Sequence, residues 1–335
     1  MSKVITFGEI MLRLAPEGYL RFVQAESFGA VYGGSEANVA LSLSVLGADA
    51  AYVTRLPAHE LGQAAINSLR RYGVDTSMIV RGGPRIGVYY MERGASQRAS
   101  KVIYDRTGSS IALAEPSDFD WNAIFSGADW FHFTGITPAL SDRLPEICLE
   151  ACRAARARGI TISFDPNYRK NLWTLDRANE VISALMPYVD VLISNETQAR
   201  ELFRLDCAET DDRPGNSRAV ARALFERFPL KKVALTIRTT LHAEENLFQA
   251  MLFTPDGEAI SQQHDLHIVD RVGGGDAFAA GLIYALREGR TDGESIRFAA
   301  AAAALKHAVE GDANLVTEPE VRALAEGGAN ARVSR

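Results

Sequence analysis

What most constrains this chain is an alternation: short β-branched runs are separated by amphipathic stretches of helical length. That is the pattern expected when helices cover both faces of a mainly parallel sheet. Strands are expected at 4–7, 51–54, 130–134, 161–164, 189–194 and 232–237, with helices at 37–46, 61–72, 143–158, 178–187 and 217–228. Several of these helices run into glycine, as at Leu46-Gly47, Tyr72-Gly73 and Arg158-Gly159, because glycine accepts the left-handed conformation that ends a helix. Two segments, 10–32 and 86–106, break the rhythm. They alternate apolar and polar residues with no helix between, and read as hairpins outside the main sheet. The expectation is a three-layer α/β/α domain with a mainly parallel central sheet and a small β lid. A parallel sheet binds ligands beyond its strand C-termini, where such a lid can exclude water.

Composition excludes whole classes of function. With 335 residues, 47% of them hydrophobic and 23% charged, the chain can bury a large core without disulfides or structural metals, and a single domain over 1–335 is expected. Lys and Arg number 36 against 42 Asp and Glu, a net charge of -6. No basic face for nucleic acid or anionic lipid is implied, so a small-molecule partner is expected. Cys148, Cys152 and Cys207 lack paired metal-site spacing and read as reduced thiols in a cytoplasmic protein, the first two buried on one helix face. The apolar run at the N-terminus is broken by Glu9 and Arg13 and is too short for a signal peptide. No run approaches the length of a membrane span. The tail 326–335 reads as disordered.

The sharpest local feature is Asp270-Arg271-Val272-Gly273-Gly274-Gly275-Asp276, leading into an apolar helix. Consecutive glycines let backbone approach a ligand closely, and the first helical amides then point at it with the positive end of the helix dipole. This is a cradle for phosphate. A carboxylate inside its first turn would repel phosphate, which makes Asp276 either a helix cap or a base placed to take a proton from a hydroxyl attacking beside the phosphate. A second pair of glycines opens a helix at Gly33-Gly34-Ser35-Glu36-Ala37-Asn38. Asn38 offers a donor and an acceptor suited to a polyhydroxylated ligand, or to a helix start. The Rossmann fingerprint fails because Phe278 stands where its last glycine belongs, and no Walker, HExxH or GxSxG pattern occurs.

Taken together, the GG-x-x-x-N segment Gly33–Asn38 and the late segment Asp270–Asp276 resemble those of the PfkB (ribokinase-like) carbohydrate kinases, and the resemblance covers nearly the whole chain. It implies ATP with Mg2+ as donor, a sugar hydroxyl as acceptor, Asp276 as catalytic base, and Gly273, Gly274 and Gly275 as the anion hole. Within that family, the segments Arg85–Tyr90, Ser100–Arg106 and Asp165–Arg169 are similar to those of 2-keto-3-deoxygluconate kinases. The likeness implies that Gly34, Asn38, Tyr89, Tyr104, Arg106 and Arg169 face a sugar acid, with Asp312 near the acceptor. Arg106 and Arg169 could supply the bidentate donors that a carboxylate needs and a neutral hexose does not. For the nucleotide, the resemblance implies Asn167, Asn195, Thr236, Arg238, Gly273 and Gly275. Mg2+ would be held through phosphates and water near Asn195 and Glu196, and relatives use a monovalent cation such as K+ near Asp270 and Val272. Two positions depart from the family pattern: Gln198 replaces a metal-ordering Glu, and Arg238 replaces the first glycine of the nucleotide loop. An Ala-rich helix at 299–304 fits the small-residue wall of the adenine pocket or, equally, a tightly packed core. The leading reading is a kinase for the terminal hydroxyl of 2-keto-3-deoxygluconate. The rivals are a kinase for a neutral sugar or nucleoside, and a sugar-acid sensor that kept the fold and lost catalysis. Pairing of two chains through the lid, at Phe22, Val23 and Val88, is also expected.

Overall fold

The computed structural model describes residues 2–207 and 209–328. The fifteen strands within them are β1 Lys3–Phe7, β2 Met11–Ala15, β3 Gly29–Gly33, β4 Ala50–Val53, β5 Arg55–Leu56, β6 Val80–Arg81, β7 Gly87–Glu92, β8 Lys101–Asp105, β9 Ala128–Thr134, β10 Thr161–Asp165, β11 Val191–Asn195, β12 Lys232–Thr240, β13 Glu245–Thr254, β14 Gly257–Ile260 and β15 His264–His267. The helices are α1 Ser35–Val45, α2 Glu60–Arg70, α3 Trp121–Ile124, α4 Leu144–Ala157, α5 Leu175–Leu185, α6 Glu196–Phe203, α7 Arg213–Arg227, α8 Gly274–Arg287, α9 Asp292–Lys306 and α10 Glu318–Ala325.

The large sheet runs β14-β13-β12-β11-β10-β9-β1-β4, with β15 also on β13. The six strands from β12 to β4 are mutually parallel, and β13, β14 and β15 join antiparallel. Each parallel strand sends side chains alternately into two apolar cores. Phe7, Phe131, Phe133 and Phe164 pack with α4, α5, α6 and α7 on one face, while Val4, Tyr52, Trp130 and Ile193 pack with α1, α2, α8 and α9 on the other. All six expected strands are present. The five expected helices are present too, with ends displaced by one to four residues, and Gly47, Gly73 and Gly159 take left-handed φ of 98, 88 and 69° at their stops. Cys148 and Cys152 are buried in α4.

The small sheet has the order β3-β2-β7-β8, so both irregular segments form hairpins as expected. Their junction, β2 on β7, is parallel, which makes the lid mixed instead of wholly antiparallel. Register places Arg13, Tyr89 and Tyr104 side by side on one face and Leu12, Val88 and Tyr90 on the other. The antiparallel extension β13–β15 has no counterpart in the sequence reading. Of the C-terminal tail, 329–335 lies outside the described residues, and helix α10 closes at Ala325 just before it. No helix among the described residues is long and apolar enough to cross a membrane.

Candidate active site

A cleft of about 440 Å3 opens where the C-terminal ends of the parallel strands meet the cradle loop and the lid. Of the expected site residues, Gly34, Asn38, Tyr89, Tyr104, Arg106, Asn167, Arg169, Asn195, Thr236, Arg238, Gly273, Gly274, Gly275, Asp276 and Asp312 all line it. Sequence separations above 200 residues are closed by the fold alone.

The cradle is built as its glycines suggest. Gly273 has φ 84° and lies against the backbone carbonyl of Asp312, so any Cβ there would collide with main chain as well as strain the turn. The first intrahelical bond of α8 runs from the Ala277 amide to the Gly273 carbonyl, 2.8 Å. That leaves the amides of Gly274, Gly275 and Asp276 as the orphan donors of the helix start. Gly275 faces open space, with nothing within 4 Å of a Cβ built on it; the cradle therefore has room for an anion. Arg238 and Arg271 stand beside it in the cleft, neither with a carboxylate partner among the described residues. Desolvation, then the neighbouring Arg271, lowers the pKa of Arg238. Two unpaired cations next to orphan amides suit a polyphosphate.

Asp276 sits at the end of this cradle. The Asn38 amide Nδ2 donates to its Oδ2 at 2.7 Å, while Asn38 Oδ1 accepts from the Gly34 amide at 3.3 Å. This chain of two bonds fixes which way the Asn38 amide points. Burial pushes the Asp276 carboxyl up to about 6, against the Asn38 hydrogen bond, and the Asp312 charge adds to the rise. A base with that pKa is ionised at neutral pH and is a better proton acceptor than a surface aspartate.

Arg106 and Arg169 have different fates. Arg106 Nε donates to Glu9 Oε2 at 2.8 Å, with Nη2 on the same oxygen, and its guanidinium lies over the Tyr104 ring. Glu9 is 3% exposed and also accepts from Ser109 Oγ at 2.5 Å. Arg106 is thus held in place by a buried carboxylate. Arg169 is exposed and carries no side-chain hydrogen bond or ion pair among the described residues. It is the uncommitted cation on the acceptor side. Asp312 is 3% exposed and gripped by Arg13 Nη1 at 2.7 Å and by the Tyr89 hydroxyl.

Three acidic side chains to which the sequence reading gave no role, Glu9, Glu36 and Asp165, also line the cleft. Glu9 follows β1. Asp165 ends β10, and its carboxyl is pushed up to about 7, first by burial and further by Asp276 and Glu36, despite the Asn167 amide bond and the Arg169 charge. Glu36, at the start of α1, is buried and likewise raised to about 7 by desolvation, while Thr134 and Thr137 donate to it. Carboxylates crowded enough to hold on to protons are a place where a divalent cation gains free energy. Among the described residues no group of three or more His, Cys, Asp or Glu is arranged as a metal cage. Mg2+ would then be held chiefly through ligand phosphates, with Asp165 among the carboxylates that line the cleft.

Two expectations need correction. Glu196 does not reach the cleft: it is buried under α6, in an ion pair with Arg213 at 3.2 Å and within 3.5 Å of Ser217 Oγ. Gln198, in contrast, lines the cleft, with Asn195 Oδ1 capping its amide at 2.9 Å. Of the two readings open for 299–304, packed core fits the full burial of alanines 299–303 in α9; apolar residues of the cleft lining include Ile193, Phe248 and Phe278. The surroundings of Asp270 do not fit a resident monovalent cation, because Arg13 Nη2 holds its carboxylate at 2.7 Å and Lys306 Nζ approaches its carbonyl at 3.5 Å.

Comparison with known proteins agrees with this geometry. The pfkB family carbohydrate kinase model matches residues 1–319. The 2-dehydro-3-deoxygalactonokinase of Haloferax volcanii is 33% identical over 329 residues, covering 98% of each chain. The 2-dehydro-3-deoxygluconokinase of Thermoproteus tenax is 29% identical, over 95% of this chain and 92% of its own. Among solved structures, the 2-dehydro-3-deoxygluconokinase of Thermotoga maritima superposes with a TM-score of 0.95 at 45% identity, covering 98% of this chain and 100% of its own. A cleft that joins a loop of free helix-start amides to a half-buried aspartate, in a chain matched by this family over nearly its whole length, makes the protein an ATP-dependent sugar kinase of the PfkB family.

Proposed function

We propose that the acceptor is a 2-keto-3-deoxy sugar acid of the gluconate or galactonate type, phosphorylated on its terminal hydroxyl. The observation that carries this reading is the uncommitted guanidinium of Arg169, facing the same cleft as Asp276. An exposed arginine at the cleft with no carboxylate partner among the described residues is available to a substrate that brings a carboxylate of its own. The names borne by the relatives from Haloferax, Thermoproteus and Thermotoga support the same class.

In this mechanism the sugar hydroxyl lies against the Asp276 carboxylate. As the hydroxyl oxygen of the sugar attacks the γ-phosphorus, its proton passes to the Asp276 carboxylate, the new O–P bond forms and the bond to the β-phosphate oxygen breaks, releasing ADP. The amides of Gly274, Gly275 and Asp276 hold the charge on the transferred group, with Arg238 and Arg271 along the polyphosphate. Magnesium, when bound, neutralises phosphate charge. Asn38 keeps Asp276 aimed, and Tyr89, Tyr104 and Val102 on the inner face of the lid exclude water from the reacting atoms. Two chains pair through the outer face of the lid.

The test is ADP release over a panel of 2-keto-3-deoxygluconate, 2-keto-3-deoxygalactonate, gluconate, fructose and ribose. The 2-keto-3-deoxy acids are expected to give the highest kcat/KM; a preference for fructose or ribose would overturn the assignment.

A further inference from the structure

Lys306, in the last turn of α9, has no exposed surface. A buried lysine ordinarily needs a carboxylate partner, yet its ammonium makes no carboxylate ion pair among the described residues. It is held by main-chain carbonyls instead: Val309 O at 3.0 Å and Asp270 O at 3.5 Å. Its Cε lies 3.2 Å from where a Cβ on Gly273 would be, directly under the cradle. Around it, Arg13 binds Asp270 and Asp312 through separate nitrogens, each at 2.7 Å. Arg13 and Lys306 together balance the two carboxylates. Without Lys306, a buried net negative charge would remain beneath the loop whose amides must receive phosphate.

Carbonyl oxygens and a nearby carboxylate enclosing one positive charge are the donor set of a monovalent cation site. We propose that the Lys306 ammonium is a tethered substitute for such a cation, which fixes the Asp270 and Val309 carbonyls, holds the Gly273 turn in its left-handed form and makes the anion hole independent of K+. Lys306 is a positioning residue, since it touches backbone and not substrate. The inference rests on the nucleotide side of the reading above and not on the identity of the sugar.

The experiment compares the wild-type protein and Lys306→Met in potassium chloride, ammonium chloride and tetramethylammonium chloride at equal ionic strength, the last cation being too large for the site. Three quantities are read: melting temperature, MgATP affinity by calorimetry without sugar, and ADP release with 2-keto-3-deoxygluconate. The wild type is expected to be indifferent to the cation. Lys306→Met is expected to bind MgATP about 10-fold more weakly in tetramethylammonium and to recover affinity and melting temperature in potassium or ammonium. A role limited to packing would give a loss that no cation repairs, and this outcome, like a wild type whose MgATP affinity rises with K+, would overturn the proposal. Should Lys306→Met not fold, Lys306→Gln keeps a donor for the Val309 carbonyl and carries the same comparison. Failure of the sugar assignment would silence only the third readout.

Discussion

At the scale of single residues, the proposed base is an aspartate made unusually basic by its surroundings. Asp276 is partly removed from solvent without an ion pair: Asn38 donates a hydrogen bond to it, the Ser35 side chain adds to this, and Arg169 acts on it through its charge alone. Its folded pKa, about 6, lies above the ordinary carboxylate value. The proton is therefore bound more tightly in the folded protein, and the basic form is present above about pH 6 and lost as pH falls through it. A pH profile of kcat/KM is expected to fall below about 6 with unit slope. Asp276→Asn is expected to lower kcat by about 10²- to 10⁴-fold while leaving MgATP affinity near its original value. A raised carboxyl pKa also means that ionisation costs stability as pH rises from the unfolded value to the folded one. The same variant should thus melt no lower than the wild type at pH 8, and a lower melting temperature there would mean that the aspartate serves the fold. Arg169→Gln tests the acceptor side: KM for the sugar acid is expected to rise about 10- to 100-fold, the worth of one charged hydrogen bond, with kcat changed far less. An unchanged KM would remove the carboxylate contact.

At the scale of elements, the cradle divides the roles of its glycines. Gly273 needs both its left-handed φ and its closeness to the Asp312 carbonyl, whereas Gly275 has ordinary backbone and free space ahead of it. Gly275→Ala is expected to keep the melting temperature and raise KM for ATP at least about 10-fold, because the methyl group occupies volume meant for phosphate. Gly273→Ala should lower the melting temperature and weaken nucleotide binding together. Equal thermal loss in both would contradict this division. The cradle was legible in the sequence because a glycine run before an apolar helix has few structural uses. Helix α9 was legible only as a small-residue element: alanine suits a wall beside an adenine and a close helix contact equally well, and only its packing against α8 decides between them. The turning of Glu196 away from the cleft was not legible either. One residue beyond the Asn195 cap, it falls on the side of α6 that faces Arg213 of α7, and that partner lies 17 positions further along the chain.

At the scale of the whole molecule, the sheet gathers side chains from distant segments at its strand ends, so the six parallel strands, once recognised, brought most of the site with them. What local sequence withheld was pairing. Arg106 is as strongly charged as Arg169 in the sequence, and only the meeting of Glu9 with Arg106, 97 residues apart, separates a fixed cation from a free one. The lid poses the matching question on its outer side. Its two edges, β3 and β8, have no further strand partner among the described residues. Opposite the cleft-facing row, Tyr90 packs edge-on against Phe22 and Phe28, leaving Phe28 39%, Ile103 45% and Val23 89% exposed. A four-stranded open sheet with apolar side chains on its outer face is poorly left facing water and is a good surface for a second copy. Light scattering at micromolar concentration is expected to give at least twice the mass of one chain. Ile103→Glu, which puts a charge in the middle of that face, is expected to shift the mass toward a single chain and to raise KM for the sugar by loosening the strand that carries Tyr104. A single-chain mass for the wild type would refute pairing through the lid and leave Tyr89 and Tyr104 to close the cleft from one chain alone.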